Sequence, residues 1–222
     1  MTVAQFVEKF RLLTEVVSSY EAPGLLDVEI YDLLNISQKE VVLELCTARK
    51  FDKLYSLITQ GEIILTYEGL GVYIGDIDAN FFYPVTARVA ISRVALTTSG
   101  FIPDYAMGNT IVNLKGIDIE HVNSFIGNPF NRNIIQLNPS YWVESKGVLN
   151  TPRIKVILDN YTLLGTFTTI ASQPNVVLTY IKTPKDFDDL TTSELPENLH
   201  EIILSKAVEK RNNALVNNAN KN

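Results

Sequence analysis

Val177-Leu178-Thr179-Tyr180-Ile181-Lys182-Thr183-Pro184 runs through an acidic connection into Leu195-Pro196-Glu197-Asn198-Leu199-His200-Glu201-Ile202-Ile203, and this passage decides the fold. Branched and aromatic residues make its first part a strand, and Pro184 stops the strand by withholding a ladder donor. Pro196 suits the first position of a helix, and Leu199, Ile202, Ile203 and Ala207 then recur at helical spacing to form a packing face. Residues 186–201 hold six carboxylates and no Lys or Arg, whereas Lys206, Lys210 and Arg211 follow. Acid at the start and base at the end complement the helix dipole. No catalytic side chain is embedded in this strand, stop and helix.

Upstream, the chain from Glu62 reads as β-rich. Ile63-Ile64-Leu65-Thr66-Tyr67, Val85-Thr86-Ala87-Arg88-Val89-Ala90-Ile91 and Arg153-Ile154-Lys155-Val156-Ile157-Leu158 are separated by clusters of Gly, Asn, Asp and Pro. Gly69, Gly71 and Gly75 miss the dinucleotide-binding spacing, because no crossover helix follows them, and they read as a hairpin turn. Trp142 on a strand carries enough apolar area to anchor the core.

The first sixty residues read as helices. Thr2 with Gln5 makes a capping-box pattern, and Val3, Phe6, Phe10, Leu13 and Val17 form one stripe, predicting a helix over residues 3–19. Glu21-Ala22-Pro23-Gly24 ends it. Asp27 is expected to cap a short helix to Leu34, and Ser37 with Glu40 to open a second one ending near Arg49. Phe51, Leu54, Tyr55, Leu57 and Ile58 add a turn or two. After Arg211, the polar run through Asn222 is expected to fray unless a neighbour holds it.

The fold expected is α+β, with an N-terminal helical module (1–60), an antiparallel β-rich body (61–184) of about six to eight strands, and a linker, C-terminal helix and polar tail (185–222), in one structural unit or two closely joined. At 222 residues the chain is long enough to bury about 72% of its unfolded surface without a staple. Cys46 is the lone cysteine and reads as a reduced, buried thiol. The first residues show neither a signal peptide nor a spanning helix, predicting a soluble chain made in the cytosol and no membrane partner. A net charge of −6 argues against a basic face for phosphate backbones.

The motif search predicts neither catalytic residues, metal nor cofactor. His121 and His200 lack ligand spacing, and no phosphate loop or nucleophile elbow is present. Asp186, Asp188 and Asp189 lack the glycine and distal glutamate of a calcium loop, so a solvated linker is expected there. The formal sequons at Asn35 and Asn160 carry no meaning in a chain that is not secreted.

Three passages together resemble the neck and tail ring proteins of tailed bacteriophages, the crAss-like group in particular. The first is Phe6 to Ile58, with Ala22-Pro23-Gly24-Leu25 and the helix around Gln38, although Ile36 and Ser37 stand where a Lys-Ala pair is more usual. The second is Ile119 to Arg132, with Asn128-Pro129-Phe130, and the third is the terminal passage quoted above. The resemblance covers about half of the chain and implies a head-to-tail connector or tail-barrel ring below the portal, of about twelve copies. It implies as partners copies of the chain itself, the portal protein and adjacent tail ring proteins. Genome DNA would pass through the lumen without specific binding, in a virion neck or tail assembled in the bacterial cytoplasm.

A ring subunit needs two different lateral surfaces. The N-terminal helices and the last helix are expected to pack together, with the tail reaching a neighbour or the portal. The expected interface residues are Leu199, Ile203, Lys206, Lys210, Arg211, Leu215 and Asn217. Three other readings fit the same residues. A head decoration or tail-attached protein would differ in its neighbours, a small enzyme would show a deep pocket with convergent carboxylates, and a peptide or carbohydrate module would show a concave aromatic patch.

Overall fold

In a computed structural model, residues 1–15, 25–69, 72–91, 110–118, 120, 122, 140–146, 151–157, 175–188 and 193–219 are described. The Glu21–Gly24 turn, Asn123–Arg132, His121 and Asp189 lie outside them. The described residues form three α-helices, α1 (Val3–Glu15), α2 (Asp27–Thr47) and α3 (Glu197–Ala219), one 3-10 helix (Phe51–Leu57) and eight strands, so the fold is α+β. The chain divides into a helical unit, Met1–Ile58 with Lys182–Asn222, and a sheet unit, Thr59–Ile181.

In the helical unit, α1 opens on the capping box that Thr2 and Gln5 foreshadow. The Thr2 N–H donates to Gln5 Oε1 at 2.8 Å, and the Gln5 N–H donates to Thr2 Oγ1 at 3.3 Å. Phe6 and Phe10 are fully buried.

Helix α2 differs from the expected pair of helices. It runs unbroken from Asp27 to Thr47, a stretch that no Gly or Pro interrupts. Asp27 is the first helical residue and not the cap. Leu26 holds that position, and its N–H donates to the Glu29 carboxylate at 2.8 Å. Ser37, expected to cap a second helix, is buried in mid-helix, and its hydroxyl finds no partner among the described residues. The helix closes with a left-handed residue, Arg49 at φ 54°. The Lys50 N–H reaches the Leu45 carbonyl at 2.9 Å and the Arg49 N–H reaches that of Cys46 at 3.0 Å, so the last carbonyls are satisfied by a Schellman turn.

Helix α3 packs on α1 and α2, as expected for the two ends of the chain. The polar run after Arg211, expected to fray, continues α3 to Ala219. Propagating an existing helix adds one hydrogen bond per residue fixed, which spares this Asn-rich stretch the cost of nucleation.

The sheet unit carries strands β1 (Ile58–Ile64), β2 (Thr66–Gly69), β3 (Val72–Asp76), β4 (Phe81–Ile91), β5 (Thr110–Gly116), β6 (Ser140–Lys146), β7 (Thr151–Ile157) and β8 (Asn175–Lys182). Their order is β1-β8-β4-β5-β6-β7-β3-β2. β2–β3, β3–β7, β4–β5 and β6–β7 pair antiparallel, and β5–β6 pair parallel through Lys115↔Ser140 and Gly116↔Tyr141. The hairpin expected around Gly69 is β2–β3, with Gly69 at φ 130°, a backbone state that side chains disfavour.

The run Ile63–Tyr67, expected as one strand, breaks at Leu65. That one residue joins β1 and β2, the two edges of the sheet, so the sheet curls upon itself. Leu65 is fully buried, and it packs with Ile63, Tyr73, Ile154, Val156, Leu178 and further inward residues in a core drawn from strands all around the sheet. On the opposite face, Trp142 packs with Val72, Val122 and Ile157, so it is a core residue. That face also carries Arg153 paired with Asp76 at 2.7 Å, and Lys155 between Glu68 at 3.0 Å and Glu144 at 3.1 Å.

Gly75 permits the curl. Paired with Ile154 on β7, it faces the corner, and a Cβ there would fall within contact distance of Ile63 Cγ2 and 3.0 Å from both the Ile64 carbonyl and Leu65 Cδ2. At Gly61 the nearest atom to an added Cβ is Tyr180 Cε1, an ordinary 3.6 Å away. Gly75→Ala is therefore expected to lower stability by about 1–3 kcal/mol, the cost of overpacking a closed core. Gly61→Ala should cost much less. Urea unfolding of the two variants checks the contrast.

Candidate functional site

The terminal passage that decides the fold is held to α2 by two amide side chains. Beside Ile30, Leu34, Val41 and Val42, which are buried on α2, Asn35 and Gln38 are polar and lie one turn apart. Asn35 Oδ1 accepts the Phe187 N–H at 2.6 Å, and Asn35 Nδ2 donates to the Phe187 carbonyl at 3.3 Å. Gln38 Nε2 donates to the Lys185 carbonyl at 2.9 Å, and its Oε1 accepts the Ser193 hydroxyl at 3.1 Å. A backbone with no ladder partner is thereby satisfied while Phe187 is buried, its ring edge-on to Phe6 at 5.0 Å.

The linker expected to be solvated is so at its described aspartates, and its apolar residues are covered. Pro184, Phe187 and Leu195 are buried, while Asp186 and Asp188 stay exposed. Asp186 pairs with Lys39 at 2.7 Å. Glu194 takes Lys182 at 3.1 Å and Lys185 at 3.5 Å. Burial acts to raise the Glu194 pKa, but the hydrogen bond and charge of Lys182, aided by Lys185, outweigh it and hold the carboxyl below its usual range.

His200 in the first turn of α3 is 3% exposed. Its Nε2 lies 2.9 Å from the Leu195 carbonyl and its Nδ1 3.0 Å from the Met1 amino group. A neutral ring fits both contacts, with the proton on Nε2 and the lone pair on Nδ1. Burial, reinforced by the neighbouring amino charge against the opposing Leu195 carbonyl and Glu197 and Glu201, holds its pKa below the ordinary 6.5. Cys46 is a free, buried thiol whose burial pushes its pKa up to about 11, which removes it as a nucleophile near neutrality.

The interface residues expected from the sequence divide sharply. Leu199 and Ile203 are buried within their own unit, so they belong to its core and are not available to a neighbour. Lys206 Nζ meets Glu44 and Lys210 Nζ meets Glu40, each at 2.6 Å, fastening α3 to α2. Helical periodicity marks the packing face that holds Leu199 and Ile203 but does not say whose it is. Arg211 is half-buried, Leu215 is 41% exposed, and the side chain of Asn217 lies outside the described residues.

Two surfaces of the helical unit that sequence reasoning missed are open to solvent. Along α2, Val28, Ile36 and Leu43 recur about every two turns, and all three are exposed. Between the start of α1 and that of α2 lies a groove of about 500 Å³ lined by Val3, Val7, Glu8, Leu12 and Tyr31 among others, with the Arg11–Asp27 ion pair at its side. The exposed Leu12 lies off the buried α1 stripe and was its only signal in the sequence.

Among the described residues no group of three or more His, Cys, Asp or Glu could hold a metal ion. No described helix is long and apolar enough to cross a membrane. Comparison of the sequence with protein-family models and with characterised proteins finds no match.

Asn35→Ala deletes both bonds to Phe187 and strands a buried N–H, at an expected cost of about 1–3 kcal/mol. Native-state hydrogen exchange should show the Phe187 amide losing protection in this variant.

A second expectation follows from the two depressed pKa values. In the folded state both His200 and Glu194 take up a proton less readily than in the unfolded chain, so each contributes stability that is present above its unfolded pKa and lost as pH falls. Thermal unfolding should show stability declining as pH drops below 6.5, with a second loss below 4.5. His200→Gln should flatten the first decline and leave the second.

Proposed function

We propose that this chain is a subunit of a ring in the head-to-tail connector or tail barrel of a tailed bacteriophage, seated below the portal, with genome DNA passing through the lumen. One observation carries the reading. The helical unit leaves Val28, Ile36 and Leu43 of α2, Leu12 of α1, and Leu215 and Val216 of α3 in solvent, on distinct faces. Apolar side chains collected in stripes mark surfaces built to be covered. A ring closed by a heterologous contact needs two such surfaces that differ from each other, which α2 and the end of α3 supply.

The likeness of three passages to connector and tail ring proteins supports the same reading. So does the charge of −6, which suits a conduit wall that repels a phosphate backbone. The proposed partners are further copies of the chain, the portal and neighbouring tail rings, and the proposed location is the virion neck or tail.

Mass photometry of the purified chain, alone and mixed with the portal ring of the same genome, tests the proposal. The expected result is a portal complex heavier by about twelve copies. Rings that form without portal and ignore it would place the chain lower in the tail barrel. A chain that assembles in neither condition overturns the reading.

A further inference from the structure

We infer that copies of this chain associate head to tail, the last two turns of α3 of one copy seating Leu215 and Val216 in the groove between α1 and α2 of the next. The inference rests on the ring reading and names the surfaces that would close the ring.

The overhanging end of α3 continues a face that is already buried. Leu204 is 1% exposed and Ala207 is buried, and at 100° per residue Ala214 and Leu215 lie on the side of the helix that they define. Yet Ala214, Leu215 and Val216 are all exposed, because their own unit stops covering α3 beyond Asn212. The buried stripe outruns the unit that buries it.

The groove offers the complementary shape. Val3 and Val7, 6% and 8% exposed, make an apolar floor, and Leu12 stands as a wall at 58% exposed. Its volume of about 500 Å³ accommodates a wedge of adjacent Leu and Val side chains. Glu8 and the Arg11–Asp27 pair supply the polar part of its lining.

Charge complementarity selects a second copy as the occupant. Arg211 precedes Leu215 by four residues, and Glu8 precedes Leu12 by four, a rise of about 6 Å on each helix. Setting Leu215 beside Leu12 with the helices running in the same direction brings Arg211 to Glu8. Among the described residues neither Arg211 nor Glu8 has an ion-pair partner, whereas Arg11 and Asp27 are paired to each other. Within one copy α3 meets α1 through its first turn, at Phe6–His200 and Lys9–Glu201, and Leu215 lies 15 residues beyond His200, about 22 Å along the helix.

Oxidative cross-linking of E8C/R211C tests the contact, with the buried Cys46 replaced by Ala in all samples. The expected result is a ladder of covalent dimers, trimers and larger species on a denaturing gel. A cross-link confined to the monomer would mean that the tail fills its own groove and would overturn the inference. Sedimentation velocity supplies the second readout: L215D and R211E should each weaken association about tenfold or more, with unchanged far-ultraviolet circular dichroism, and E8R should restore binding to R211E.

A wild-type chain that remains monomeric at about 100 µM overturns the contact. Oligomers indifferent to L215D and R211E remove this interface and leave the ring reading standing. A dimer of the isolated chain that never extends beyond two copies removes the contact, and the mixture with the portal ring then decides the ring reading separately.

Discussion

The helical unit depends on one constraint: a length of backbone near Phe187, lying in neither helix nor strand, is buried and must still satisfy its N–H and C=O groups. Asn35 and Gln38 meet that requirement from α2, and the reward is the burial of Phe187 against Phe6. Everything C-terminal of β8 is positioned by this fastening. It sets where α3 begins, brings His200 under Phe6, and lets Lys206 and Lys210 reach Glu44 and Glu40. The two surface ion pairs add little by themselves. The orientation of α3 rests on the buried amides and the apolar face that follows them.

The sheet unit solves a different problem, the exposure of edges. An open sheet of eight strands leaves two rows of unpaired backbone groups, and here the chain passes from one edge to the other through the single residue Leu65. Turning so sharply demands close approach of β1 and β3, which is available only because position 75 lacks a side chain. The curl then gathers inward residues from strands around the sheet into one core.

The charge balance is acidic, the buried thiol and histidine are chemically quiet, and the groups that stand open are apolar stripes with isolated charges beside them. The ring and the contact between copies proposed above are built on these open apolar residues.

Local pattern by itself determined the element types: the capping box at Thr2 and Gln5, the hairpin at Gly69, the closing strand and the helix after Pro196 were all legible because spacing and backbone chemistry act over a few residues. The same local rules misread Ser37 as a cap, since a continuous helix is also compatible with it and only packing around α2 chose between them. They read the segment around Phe187 as solvated linker because its carboxylates dominate its composition, while the amides that bury it lie about 150 residues away. They left open what covers Leu199 and Ile203, because periodicity shows that a face is covered and is silent on what covers it. Tertiary structure decided that question: it buried Leu199 and Ile203 inside the unit, tied Lys206 and Lys210 to α2 at its surface, and left Leu215 outside, a distinction that depends on where the supporting helices end in space.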